Sequence, residues 1–322
     1  MKTVLVAPDS FKGTFSAAEV AAAVACGLRD GGAEAVELPL GDGGEGTLDA
    51  LAGALGAEVR TARVHDPLGR PVEARFALAE GGRQGIVEMA EASGLRLVAE
   101  RERDAWAAST YGTGELIAAT CEAGAREVIV AVGGSATTDG GAGALAALDE
   151  AGVDPRIVVV CDVRTPWEDA ARVFGPQKGA DERTVSRLER RLAALAARAP
   201  RDPRGVPMTG CAGGLSGGLW AWRGAQLVAG APYVLDAVGF DGLMRGSRYV
   251  VTGEGRLDEQ TLAGKVVGEV ATRCRQGGVA CHAVVGSNAL DAFKARILDL
   301  ASITEAGSES ALRQAGRRLA EL

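Results

Sequence analysis

The chain has 322 residues, 47% hydrophobic and 24% charged, enough for one large or two ordinary domains with real cores. Its net charge is 35 − 42 = −7 with no strongly basic stretch, which argues against a nucleic-acid partner. No run of roughly 18 apolar residues occurs, and "MKTVLVAPDS" turns polar too soon for a signal peptide, so a cytoplasmic protein with no membrane contact is expected.

The elements follow in chain order. A β-branched run at 3–8 predicts a buried strand. Ser16 and Glu19 have capping-box spacing, which predicts a helix from there to about residue 29, stopped by Gly31-Gly32. A second strand is expected at 35–40, then the glycine-acid loop "GDGGEG" (41–46), then the helix "TLDALAGALG". Two strand-like runs flank Asp66-Pro67-Leu68-Gly69, a hairpin signal. Further along, "TGELIAATCEAG" reads as a helix, "REVIVAV" as a strand, "GGSATTDGGAG" as a long loop and "IVVVCDV" as a buried strand. The small residues of "CAGGLSGGLWAW" (211–222) fit close helix packing better than a phosphate loop. Near the end, "RYVVT" and "ACHAVVG" read as strands, and helices are expected at 266–275 and from "SNALDA" onward. The tail "LRQAGRRLAEL" reads as a solvated helix face. Alternation of strand and helix at both ends predicts an α/β fold: a Rossmann-like doubly wound parallel sheet (1–60 plus 241–322) with a second, inserted mixed α/β domain (61–240).

In an open parallel sheet, ligands bind beyond the carboxyl ends of the strands. Those ends here carry "PDSFKG", "GDGGEG", "TGEGRLD" and "GSNA", a concentration of acids, lysine and glycine. Glycine loops before helices suit phosphate, because bare amides can approach its oxygens. The loop at 133–138 adds hydroxyl donors. Walker A is absent, since Glu259 stands where its first glycine belongs; Ile117 likewise breaks the dinucleotide fingerprint in "YGTGELI". Acids beside phosphate loops point to Mg²⁺, with Asp42, Asp139, Asp162 and Glu254 as candidates. Of 35 basic residues only five are lysines (Lys2, Lys12, Lys178, Lys265, Lys294), and Lys12, Lys178 and Lys265 each adjoin a glycine. A compact ammonium differs from arginine's planar fork on phosphate, so these positions favour the ammonium itself. His65 and His282 read as structural, neither Ser10 nor Ser135 has a histidine nearby in sequence, and six dispersed cysteines without a C-x-x-C read as reduced thiols.

Taken together, "APDSFKGTFSAAEV", "GDGGEGT", "EMAEASGL", "STYGTGELI", "VGGSATTDGGAGALAAL", "FGPQKGA", "GCAGGLSGGL" and "VVTGEGRLDEQTLAGKV" resemble the bacterial glycerate kinase family of the "APDSFKG" type, over nearly the whole chain. The resemblance implies ATP- and Mg²⁺-dependent phosphorylation of D-glycerate, with the site in a cleft between two domains. The chain departs from the family at Thr138, where Asn is usual, and in the short connection "DEAGVDPR". On this reading Asp9, Lys12, Asp162 and Lys178 are catalytic, with Asp9 or Asp162 orienting the acceptor hydroxyl. Ser10, Arg256 and Asp258 bind substrate, and Gly43, Gly44, Gly133, Gly134, Ser135 and Thr137 hold phosphate. Asp42, Asp139 and Glu254 hold Mg²⁺. D-glycerate and ATP are the expected partners, and a homodimer is the assembly allowed for. A shortened, non-catalytic relative and a kinase for another small hydroxy acid stay open as alternatives; a nicotinamide oxidoreductase is disfavoured.

Overall fold

The computed structural model describes residues 3–262 and 264–322; Lys2 and Ala263, which fall in stretches named above, lie outside them. The chain divides into two compact units. One comprises Met1–Asp42, Asp49–Ala54 and Ala231–Leu322, the other Gly43–Leu48 and Leu55–Gly230. Relative to the bounds read from sequence, 43–48, 55–60 and 231–240 change sides. Among the described residues no helix is long and apolar enough to cross a membrane.

The first unit is built on five parallel strands in the order Ser302–Glu305, Cys281–Val285, Val250–Thr252, Val4–Val6, Ala35–Glu37. Its three central strands are buried at every residue, which is why they read as unbroken apolar runs. Helix Ala17–Asp30 starts as its sequence requires: Ser16 Oγ accepts from the Glu19 amide at 3.2 Å, and Glu19 Oε2 accepts from the Ser16 amide at 2.7 Å. It ends at Gly31, and Gly32 follows with φ +87°. The tail helix, Glu309–Leu319, is amphipathic: Leu312, Ala315, Gly316 and Leu319 are buried, while Arg317 and Arg318 face outward. It lies backbone to backbone on helix Ala17–Asp30. A Cβ on Gly27 would sit 1.9 Å from the Arg313 carbonyl oxygen, and one on Gly316 would sit 2.1 Å from that of Val24. Stretch 287–292 departs from expectation. Ser287–Asn288 forms a two-residue parallel strand with Arg256–Leu257, and the helix begins only at Ala292, where Asp291 caps it.

The second unit holds a six-stranded mixed sheet in the order Glu58–His65, Pro71–Ala79, Gln84–Glu88, Glu127–Ala131, Arg156–Cys161, Gln226–Ala229. The first two pairings are antiparallel and the other three parallel. The hairpin turn is set by Asp66, whose Oδ1 accepts from the amides of Leu68 and Arg70, both at 2.8 Å, with Gly69 at φ +82°. Segment 211–222 packs closely. A Cβ on Gly217 would fall 2.5 Å from the Thr209 carbonyl oxygen, and one on Gly218 would fall 2.3 Å from that of Gly140. All six cysteines are free thiols. Both histidines have structural partners: His65 Nδ1 meets Glu115 at 2.9 Å, and buried His282 meets Ser302 Oγ at 2.8 Å.

Candidate active site

The carboxyl ends of three adjacent parallel strands build a pocket in the first unit. Val4–Val6 runs on to Asp9, Val250–Thr252 to Glu254, and Cys281–Val285 to Gly286. The ladder continues past the strands, with the Asp9 amide donating to Gly253 O at 2.8 Å and the Gly286 amide to Glu254 O at 3.1 Å. Gly253 is compelled here, because a Cβ would stand 2.1 Å from the Val284 carbonyl oxygen. The cavity measures about 390 Å³; Asp9, Ser10, Lys12, Glu254, Arg256, Asp258, Lys265 and Ser287 are among its lining residues. Asp9, Asp42 and Glu254 are each 4–5% exposed, while Lys12 and Arg256 are exposed and Lys265 is half-buried.

Two acids of this pocket, Asp9 and Glu254, are hard to ionise where they lie. Burial holds the Asp9 carboxyl well above the usual range, Asp42 pushes it further and Glu254 adds to this; the Ser10 amide, at 2.7 Å from Asp9 Oδ1, and Lys12 act against them. Burial also pushes Glu254 up to about 7, against the Thr261 hydroxyl at 2.5 Å and Lys265, with Asp258 and Asp42 repelling. Arg256 pairs only loosely with Asp258, at 3.8 Å. Buried like charges of this kind are relieved by a cation. Among the described residues no three acid, histidine or cysteine groups form a ready metal cage. Mg²⁺ takes one or two carboxylates and completes its shell with water and phosphate oxygens. Glu254 lines the pocket and the charge of buried Asp42 acts on both Asp9 and Glu254, so these are the two carboxylates that would hold such an ion.

A second group lies in the other unit. Lys178 is 2% exposed, and its Nζ donates to Ser135 Oγ at 2.8 Å and to the Thr137 carbonyl at 2.6 Å. Burial pulls its pKa down to about 7, while Asp139, Asp162 and Cys211 resist the fall. Thr137 Oγ1 and Thr138 Oγ1 are buried without hydrogen-bond partners. Such hydroxyls cost about 1–3 kcal/mol each, a cost that ligand oxygens would remove. Asp162, half-buried, follows strand Arg156–Cys161.

Asp139 is differently employed. Its carboxylate accepts from Thr110 N at 2.9 Å, Thr110 Oγ1 at 2.8 Å, Gly141 N at 3.1 Å and Gly143 N at 3.2 Å. Those four donors shape the loop that enters helix Ala142–Ala151, and they engage the oxygens a metal would need. Nor do all the expected phosphate amides face outward. The Gly43 amide donates to Thr47 Oγ1 at 3.0 Å, and the Gly133 amide to Gly43 O at 2.8 Å. These glycines serve close approach instead: a Cβ on Gly133 would lie 2.4 Å from Gly44 Cα, and one on Gly43 (φ +93°) would lie 2.6 Å from Val160 O. Asp9, Ser10, Lys12, Glu254, Arg256 and Asp258 do share one pocket, and Ser135, Thr137 and Lys178 share the second group. Sequence reasoning passed over Thr261 and Glu88. Glu88 Oε2 accepts from the amides of Gly46 at 3.0 Å and Leu48 at 3.2 Å, and burial lifts the acid to about 7. An acid closing the apolar run "GIVE" was its available signal.

The fold and these groups define an α/β protein with its polar ligand groups at strand carboxyl ends. The model of the glycerate kinase family matches residues 4–156 and 149–322. The two matches overlap in "DEAGVDPR", the shortened connection. A glycerate kinase of Halalkalibacterium halodurans is 36% identical over 99% of this chain and 98% of that protein. A glycerate 2-kinase of Escherichia coli K12 is 38% identical over 82% of this chain and 79% of that protein. The crystal structure of a protein described as glycerate kinase 2 from Salmonella typhimurium LT2 superposes with a TM-score of 0.85 at 32% identity, covering 99% of this chain and 97% of that one. This chain belongs to the glycerate kinase family.

Proposed function

We propose that the protein transfers the γ-phosphoryl group of ATP to a hydroxyl of D-glycerate, with Mg²⁺. The observation that carries the reading is the joining, in one pocket, of the buried acids Asp9 and Glu254 with the cations Lys12, Arg256 and Lys265. Family membership supports it. Phosphoryl transfer requires positioning and charge neutralisation more than covalent help from the protein. Asp9 is assigned the proton of the acceptor hydroxyl, which it takes as the new P–O bond forms and the bond to ADP breaks. Ser10 and Asp258 orient the acceptor, while Lys12 and Arg256 offset charge on the moving phosphoryl group. Asp42 and Glu254 hold Mg²⁺, which when bound neutralises phosphate oxygens. In the other unit, Lys178, Ser135 and Thr137 form a second group suited to an anion, where Asp139 and Asp162 favour the cationic form of Lys178 against burial. The reaction is placed in the cytoplasm, where ATP is available, and sedimentation of the pure protein tests a homodimer.

Phosphorus NMR of the product from D-glycerate and ATP, run beside an ADP-release assay, tests the reading and identifies the hydroxyl used. The expected result is one phosphoglycerate formed in step with ADP. ATP binding without turnover would overturn the reading in favour of a non-catalytic relative, the alternative motivated by the shortened connection at 149–156. A higher kcat/KM on another hydroxy acid would reassign the acceptor.

A further inference from the structure

We infer that Thr261 is the positioning residue of the carboxylate pocket: its hydroxyl fixes the Glu254 carboxylate in the orientation a divalent metal–nucleotide chelate needs. The inference rests on the function proposed above. A threonine hydroxyl has a single proton to donate. Thr261 Oγ1 accepts from the Asp258 amide at 3.1 Å, and it directs its proton to Glu254 Oε1 at 2.5 Å. That separation is in the range of hydroxyl-to-carboxylate bonds, which are stronger than neutral ones.

The side chain is held from several directions. Thr261 is fully buried. Its amide donates to Asp258 O at 3.0 Å, so backbone and side chain both tie it to Asp258, itself a pocket residue. On its other side, Gly268 packs so closely that a Cβ there would lie 2.2 Å from the Thr261 carbonyl oxygen. This closeness binds the first turn of helix Val266–Gly277 to the Thr261 backbone. Helix, turn and strand end are thus locked about one hydroxyl, whose proton occupies one oxygen of Glu254. Buried groups that orient a metal-binding carboxylate typically control affinity through such a bond.

The test compares Thr261→Val, which keeps the shape and removes the hydroxyl, with Thr261→Ser, which keeps the hydroxyl. Mn²⁺ titrated in the presence of ADP, followed by electron paramagnetic resonance, is the direct readout. Thr261→Val is expected to weaken Mn²⁺ binding about 10–100-fold, and Thr261→Ser to restore it to within about threefold. By the same reasoning kcat falls about 10–100-fold in Thr261→Val, while KM for D-glycerate moves less than about threefold. On a Glu254→Gln background the valine substitution should add less than about twofold, because the hydroxyl has lost its carboxylate. Thr261→Ala replaces the valine variant should the latter fail to fold. Wild-type Mn²⁺ affinity in the hydroxyl-free variant would overturn the inference; so would a serine variant as weak as valine, or an equal loss on both backgrounds. Wild-type protein that binds Mn²⁺·ADP but does not phosphorylate glycerate would sink the proposed function alone, since the Mn²⁺ comparison would still judge Thr261.

Discussion

Glu254 and Asp139 look alike in sequence: each is an acid in a glycine-bearing loop beyond an apolar strand. Their surroundings make them opposites. Asp139 accepts four hydrogen bonds from its own loop and from Thr110, and so behaves as part of the scaffold. Glu254 takes the hydroxyl of Thr261, lines a pocket and is pushed up to about 7 by burial. The lysines of the two regions differ as well. Lys12 is exposed at the pocket, whereas Lys178 is buried with two oxygen acceptors. The number of donors already facing an acid, more than its motif, decides whether it remains available for a ligand.

The comparison can be broken most directly at the acids. Glu254→Gln should lower kcat about 100–1000-fold with little loss of stability, since it removes a charge that burial already penalises. Asp139→Asn should do the reverse. Its amide would turn a donor toward donors, costing about 2–4 kcal/mol in urea unfolding, while the folded fraction keeps most of its rate. A stable but inactive Asp139→Asn would return Asp139 to the metal. Among the lysines, Lys12→Arg should reduce turnover about tenfold or more, with stability within about 1 kcal/mol. Lys178→Arg, which forces a larger head into a filled site, should cost about 1–3 kcal/mol.

The smallest effect expected is in pH profiles. With Glu254 and Lys178 both near 7 in the free protein, kcat/KM should show an acid limb and an alkaline limb close together. The kcat profile should be wider, because bound cation lowers the acid and bound phosphate raises the lysine. Stability carries the matching signs. Glu88 and Glu254 hold their protons more tightly folded than unfolded, so their contribution falls as pH rises from 4.5 to about 7. Lys178 holds its proton less tightly when folded, so its contribution rises with pH from about 7 to 10.5. Thermal melts of Lys178→Met across that upper window should lose the rise; an unchanged slope would assign it to another group.

Local chemistry was legible in the sequence. Ser16 with Glu19 announced a helix start, Asp66 with Gly69 a hairpin, and the apolar runs the central strands. The pocket residues Asp9, Lys12 and Glu254 were also readable, because parallel topology places strand ends together. What was hidden depended on partners far along the chain. Asp139 is engaged by Thr110, 29 residues away, and Lys178 reaches Ser135 across 43. Gly43 and Gly133 looked like phosphate amides, yet their need for glycine comes from backbone approach. Ser287–Asn288 has too few residues to show a strand period, and Thr261 was one more hydroxyl in a polar loop until its proton had a destination.

The position of the first strand also governs how the molecule is made. Val4–Val6 pairs with Val250–Thr252, which the ribosome adds about 245 residues later. At about 5–20 residues per second, that strand emerges roughly 12–50 s after the first. Most of the mixed sheet's unit, Leu55–Gly230, is continuous and can condense during that interval. The pocket that carries Asp9 cannot close until Glu254 and Gly286 have left the tunnel, so any chain cut short before them would lack the carboxylate site.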